Sequence, residues 1–197
     1  MVSMPGASQV PRRQSRGGRL CYGGAAMSSP SITLASLAAV AASASALAPI
    51  LRPGDVVLLR GEVGVGKTTW VQALAAALGI AGPVTSPTFA LLQGYDDGAL
   101  PLWHADLYRV AQAADLANVG LDEVAGERGV LCVEWPELWL SRWPREAWLA
   151  HLDLSWSCRA DGVRVVNVRG VGPRGEAVAQ AWLQRWARDA PAIEGAR

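Results

Sequence analysis

Apolar and polar positions fall along this chain in short blocks whose periods change from one to the next. From Leu34 to Ala48, the residues Leu37, Val40, Ala41, Ala44, Leu47 and Ala48 recur at steps of three and four, which predicts a helix with one buried stripe. Val56 to Leu59 is a continuous apolar run of strand length, and Trp70 to Leu78 returns to helical spacing before Gly79 stops it. Val84 to Leu92 reads as extended, and Asp96-Asp97-Gly98 separates it from a second apolar run, Leu100 to Leu107, so the pair predicts a β-hairpin. Residues 111 to 127 read as helix in two pieces divided at Gly120. Val130 to Val133 has the form of a buried parallel strand, and the Trp- and Pro-rich stretch Trp139 to Trp148 reads as irregular. Leu152 to Trp156 and Val163 to Val168 alternate as strands around a turn at Ala160-Asp161-Gly162. Gly175 to Asp189 closes the pattern as an amphipathic helix with Val178, Trp182 and Trp186 on one face.

The ends lie outside this pattern. Residues 1–30 are rich in Gly, Ser and Arg and nearly free of large apolar side chains, which predicts disorder or a gene start placed too far upstream, with Met27 as an alternative start. Residues 31–190 are expected to form one domain, and 191–197 a loose tail. Basic residues ahead of an alanine-rich run with Ala-x-Ala triplets also resemble a secretory signal. Ser36, Ser43 and Ser45 interrupt that run, so the helical reading is preferred. At 197 residues the chain is long enough for one substantial core. Its net charge of +1 argues against a surface built to bind polyanions everywhere. Cys21, Cys132 and Cys158 show no CxxC spacing, and His104 and His151 are too few for a histidine-rich metal site. No apolar run approaches the ~20 residues of a membrane span. The expected location is the cytoplasm, away from any membrane.

The candidate chemistry sits between the first buried strand and the following helix, where Gly61-Glu-Val-Gly-Val-Gly-Lys-Thr-Thr69 fits GxxxxGK[S/T]. Glycines at 61, 64 and 66 allow backbone angles that turn successive N–H groups around an anion, at a helix N-terminus that favours negative charge. The loop, Gly61, Glu62, Val63, Gly64, Val65, Gly66, Lys67, Thr68 and Thr69, is the predicted phosphate cradle of ATP or ADP. Lys67 would reach the β- and γ-phosphates and the Thr68 hydroxyl would ligate Mg2+. Of eighteen basic residues seventeen are arginines, and Lys67 is the single lysine. A tight loop needs a compact ammonium where a planar guanidinium does not fit, which accounts for the exception.

Such a loop also needs carboxylates, and strand C-termini supply them. Glu134 follows the run Val130 to Val133 in the manner of a Walker B acid, and Asp106 ends Leu102-Trp-His-Ala. Thr85, Ser86 and Thr88 occupy the position of a nucleotide-sensing segment. Trp135 reads equally as core or as a lid, and His104, a lone imidazole, receives no role.

With these residues in place the chain resembles the TsaE or YjeE family, small P-loop ATPases of bacterial tRNA threonylcarbamoyladenosine biosynthesis. The matching motifs are GEVGVGKTT at 61–69, SPTF at 86–89, HADLYR at 104–109, GLDE at 120–123 and EWPE at 134–137, in that order. The resemblance implies an α/β fold of P-loop NTPase type, three layers around a largely parallel sheet with an antiparallel hairpin. It implies slow ATP hydrolysis dependent on two partners, the threonylcarbamoyl transferase subunit and its non-catalytic paralogue, with tRNA met only through that complex. Carried onto this chain, it implies that Thr68 and Glu134 hold Mg2+, that Asp106, Glu134 and Lys67 serve hydrolysis, that Trp135 matters for activity, and that Arg164 lies near the nucleotide. Val63 and Val65 replace the Leu and Ala usual in the family's loop. Where the family's first helix carries a Thr, this chain offers Val40 and Ser43. Two other readings share the loop: a small-molecule kinase, whose arginine-bearing lid could draw only on Arg142 and Arg145 after Glu134, and a nucleotide-dependent scaffold without meaningful turnover.

Overall fold

The computed structural model describes residues 29–125, 129–142 and 151–191. The readings made for residues 1–28, for 126–127 at the end of the second predicted helical piece, for Trp143 to Trp148 with Arg145, and for the tail from 192 lie outside the described residues.

Seven strands form one sheet in the order β1-β7-β6-β2-β5-β4-β3. They are β1 (Ser31–Leu34), β2 (Val56–Arg60), β3 (Leu92–Tyr95), β4 (Leu102–Asp106), β5 (Val130–Glu134), β6 (His151–Cys158) and β7 (Arg164–Val171). The four central strands β6, β2, β5 and β4 are parallel, and β1, β7 and β3 add antiparallel edges. Alternation sorts the side chains of each strand. Val57 and Leu59 of β2 pack under α1 (Leu37–Leu47), α2 (Lys67–Ala77) and α5 (Gly172–Asp189), while Val56 and Leu58 face a thinner layer made by a 3-10 turn (Ala113–Asn118), α3 (Leu121–Val124) and α4 (Glu137–Leu140). The result is the three-layer α/β fold expected from the sequence. The division at Gly120 is real, with φ of 80° at the start of α3.

Several local expectations are corrected. The segment Val84 to Leu91 is not a strand; the hairpin uses only Leu92–Tyr95, with Tyr95 paired to Leu102. Trp139, expected in an irregular stretch, is buried in the short helix α4. β1 is a four-residue edge strand that the periodic reading passed over, with Ile32 and Leu34 turned into the core. In α1 the buried residues are Ala39, Val40, Ser43, Ala44, Ala46 and Leu47, whereas Leu37 is 65% exposed and Ala41 lies on the outer face. Small residues win the buried face because α1 packs closely on α2.

Ser43, which looked like an interruption of the apolar stripe, is the hinge of that packing. Its hydroxyl donates to the Val40 carbonyl at 2.8 Å and accepts from Trp70 Nε1 at 3.0 Å, while its own carbonyl accepts from Trp182 Nε1 at 2.8 Å. One buried serine therefore satisfies the indole N–H groups of both α2 and α5. Ser43→Ala is expected to leave the Trp70 N–H without a partner and to lower stability by about 1–3 kcal/mol, measurable as a lower urea midpoint.

Candidate functional site

Parallel strands bring their C-terminal ends to one edge, and registers decide which side chains meet there. Leu59, Glu134 and Asp106 are aligned across β2, β5 and β4. The loop 61–66 leaves β2 at that edge and runs into α2. Gly61 adopts φ of 127°, and a Cβ on it would run into the Trp156 carbonyl, so this turn admits glycine alone. Gly66, with φ of 106°, starts α2 from a left-handed conformation, and its carbonyl accepts the first bond of the helix, from Trp70 N–H. The N–H groups of the first turn are left free to meet an anion.

The cleft between the loop and the two acids has a volume of about 300 Å3 and is lined by Val63, Gly64, Gly66, Lys67, Thr68 and Thr69 from the loop side. Ser86, Thr88, Asp106, Tyr108, Glu134 and Trp135 line the other side. Thus most of the predicted residues converge. Gly61 and Glu62 take part through their carbonyls, which accept from Lys67 Nζ at 2.7 and 2.8 Å. Val65 turns its side chain into the core. Arg164 is not among the residues that line the cleft: its Nε donates to the Val65 carbonyl at 3.0 Å, and the side chain lies beside Gly66. Val40 and Ser43 are buried in the core and do not reach the site.

Lys67 is 4% exposed and lies with Nζ 4.2 Å from the centre of the Trp135 ring. Burial lowers its pKa below the ordinary 10.5, opposed by the negative charges of Glu134, Asp106 and Glu137. An anion in the cleft would favour the protonated amine and raise the pKa again. Nucleotide affinity should therefore decline as pH rises through the lowered pKa of Lys67. Because Lys67 is the only lysine, 13C labelling at the lysine Cε gives one side-chain resonance. Its titration midpoint is expected below 10.5 in the free protein and higher with ADP present.

The acids are held differently. Glu134 Oε1 accepts from the Thr68 hydroxyl at 2.8 Å and lies 3.0 Å from His104 Nε2; Oε2 has no hydrogen bond among the described residues. Asp106 Oδ2 accepts from Ser86 Oγ at 2.6 Å and Thr88 Oγ1 at 3.0 Å, and Oδ1 accepts from Tyr108 N–H at 3.1 Å. The hydroxyls of the SPTF segment are thus fastened to Asp106, a link that proximity in sequence does not reveal. Among the described residues no group of three or more His, Cys, Asp or Glu could hold a metal unaided. The hard oxygens of Thr68 and Glu134 instead suit Mg2+, which commonly takes its remaining ligands from phosphates and water.

Trp135 has φ of 57°, an uncommon conformation for a bulky residue, and its N–H donates to the Leu59 carbonyl at 3.2 Å. The twist lays the indole over Lys67 and against Tyr108, ring centres 5.1 Å apart, so Trp135 covers the cleft on one side while packing, half-buried, against the core on the other. Beyond it, Phe89 is 87% exposed with the Arg109 guanidinium 4.6 Å from its ring centre.

Residues 34–162 match the family model described as "Threonylcarbamoyl adenosine biosynthesis protein TsaE". The chain is 38% identical over 135 residues to the Bacillus subtilis tRNA threonylcarbamoyladenosine biosynthesis protein TsaE, covering 68% of this chain and 82% of that one. It is 39% identical over 132 residues to the protein of the same name from Streptomyces coelicolor, covering 65% and 88%. The crystal structure of Bacillus subtilis YdiB superimposes with a TM-score of 0.66 at 31% identity, covering 79% of this chain and 94% of that one.

Proposed function

The chain belongs to the TsaE family, and from that premise we propose that it is an ATPase whose cleft binds ATP with Mg2+ and hydrolyses it in support of threonylcarbamoyl modification of adenosine 37 in tRNA. The observation that carries this reading is the convergence, in one cleft, of Lys67, Thr68, Glu134 and Asp106. In this reading the free N–H groups of the loop and of the first turn of α2 cradle the phosphates, and Lys67 leaves the Gly61 and Glu62 carbonyls to pair with them. Thr68 and Glu134 would hold Mg2+, which when bound neutralises charge developing on the transferred phosphoryl group. Asp106, held by three donors, keeps its orientation and orders the Ser86 and Thr88 hydroxyls at the cleft wall. Trp135, with Tyr108 against it, covers Lys67 from above. Hydrolysis adds water at the γ-phosphorus and breaks its bond to the bridging oxygen, releasing ADP and phosphate.

The exposed Phe89, with Tyr108 beside the cleft, forms an aromatic rim suited to a protein partner. The partner assigned by this reading is the threonylcarbamoyl transferase subunit with its non-catalytic paralogue, and tRNA is met through that complex. No helix among the described residues is long and apolar enough to cross a membrane. The test is nucleoside analysis of tRNA from cells depleted of the chain. Threonylcarbamoyladenosine should fall and should return with the wild-type gene; unchanged levels after depletion would remove the chain from the pathway.

A further inference from the structure

His104 is fully buried, yet it makes a polar contact that neither packing nor phosphate binding requires. It stands on β4 two residues before Asp106 and therefore on the same face, one strand away from Glu134. Its Nε2 lies 3.0 Å from Glu134 Oε1, the same oxygen that accepts the Thr68 hydroxyl at 2.8 Å. Its Nδ1 is buried and has no hydrogen-bond partner among the described residues. A carboxylate only accepts, so Nε2 is the donor, and the orphaned Nδ1 is less costly as a bare lone pair than as an unpaired N–H. The opposing residue on β5 is Cys132, also fully buried, whose thiol burial pushes toward the neutral form. Such a pocket would take an apolar side chain more cheaply than a half-satisfied imidazole. The reason for a histidine therefore lies at its satisfied end.

We propose that His104 is a positioning residue for the phosphate and metal chemistry: by donating to Glu134 Oε1 together with Thr68, it fixes the rotamer of Glu134 and commits one oxygen, leaving Oε2 as the working atom. The arrangement matches the outer partners that hold carboxylates around bound metals. Thr68 is oriented by the same contact, since giving its proton to Glu134 turns its lone pairs away from that carboxylate. The inference rests on the ATPase reading of the cleft.

Two variants test it: His104→Leu, which removes the donor, and His104→Gln, whose amide N–H can reach the same oxygen. Three quantities are compared with wild type: ADP affinity in EDTA, ADP affinity in Mg2+, and ATP turnover with the transferase subunit and its paralogue. His104→Leu is expected to keep the metal-free affinity while losing about 10- to 100-fold in the Mg2+-dependent gain and in turnover. His104→Gln is expected to recover most of both. A Leu variant equal to wild type, or a Gln variant as impaired as Leu, overturns the proposal, as does a Leu variant that loses metal-free binding as well and so acts through the core. A wild-type protein that binds no nucleotide overturns the reading of the cleft and the role of His104 with it, whereas an active wild type beside an unimpaired Leu variant overturns the role of His104 alone.

Discussion

Lys67→Ala is expected to weaken ATP binding by about 2–5 kcal/mol, the usual consequence of removing one partner of a buried charge pair, which is roughly 30-fold to several thousand-fold in Kd. Nζ sits at the cleft wall, held by the Gly61 and Glu62 carbonyls under the Trp135 ring, and its low exposure leaves its charge little screened when phosphate arrives. No second lysine exists anywhere in the chain, and Arg164, beside Gly66, has its Nε engaged by the Val65 carbonyl. Calorimetric titration with ATP checks the value. A Kd within threefold of wild type would mean that the loop does not grip phosphate through Lys67. The circular dichroism spectrum should be unchanged, because Lys67 supports the loop and not the sheet.

Glu134→Gln separates binding from turnover. Glutamine keeps an acceptor for Thr68 and His104 and fills the same volume, so the local packing and the metal-free affinity should survive. What disappears is the negative charge, which the ATPase reading needs beside Mg2+ and the attacking water. Partner-stimulated turnover is expected to fall by about 10^2- to 10^4-fold, the range associated with a positioned acid or base. Loss of kcat with binding preserved would mark a group acting in the transition state. A variant that turns over as wild type does would mean that Glu134 is not catalytic, and nucleotide binding with turnover no higher than background in both proteins would favour the scaffold reading.

The site was unevenly legible in the sequence. The loop carries its own chemistry, since the glycines, Lys67 and Thr68 are adjacent and their roles follow from residue type. Asp106 and Glu134 were legible as strand ends, because parallel strands deliver their C-termini to a common edge whatever the details of register. His104 was two residues from Asp106 and on the same face, which alternation makes visible. Its partner Glu134 is thirty residues away and becomes apparent only when β4 and β5 are set in register. Ser86 and Thr88 were legible as hydroxyls following the loop helix, but their attachment to Asp106 depends on how the 84–91 segment folds back, and that segment has no regular period. α1 shows the opposite failure. Hydrophobicity alone assigned Leu37 to the core, whereas close helix packing selected Ala39, Ser43 and Ala46, and size and a satisfied hydroxyl outweighed apolarity. β1 was missed because four residues at a sheet edge give too few alternations to rise above their surroundings.

The central claim is that this cleft hydrolyses ATP for its partners, and the direct measurement is the fate of γ-32P-ATP given to the purified chain with the transferase subunit and its paralogue. The account predicts label released as free phosphate, faster with both partners than with the chain alone, and slowed at least about 100-fold by Glu134→Gln. Label transferred to a small molecule, or phosphate release indifferent to Glu134→Gln, would contradict it.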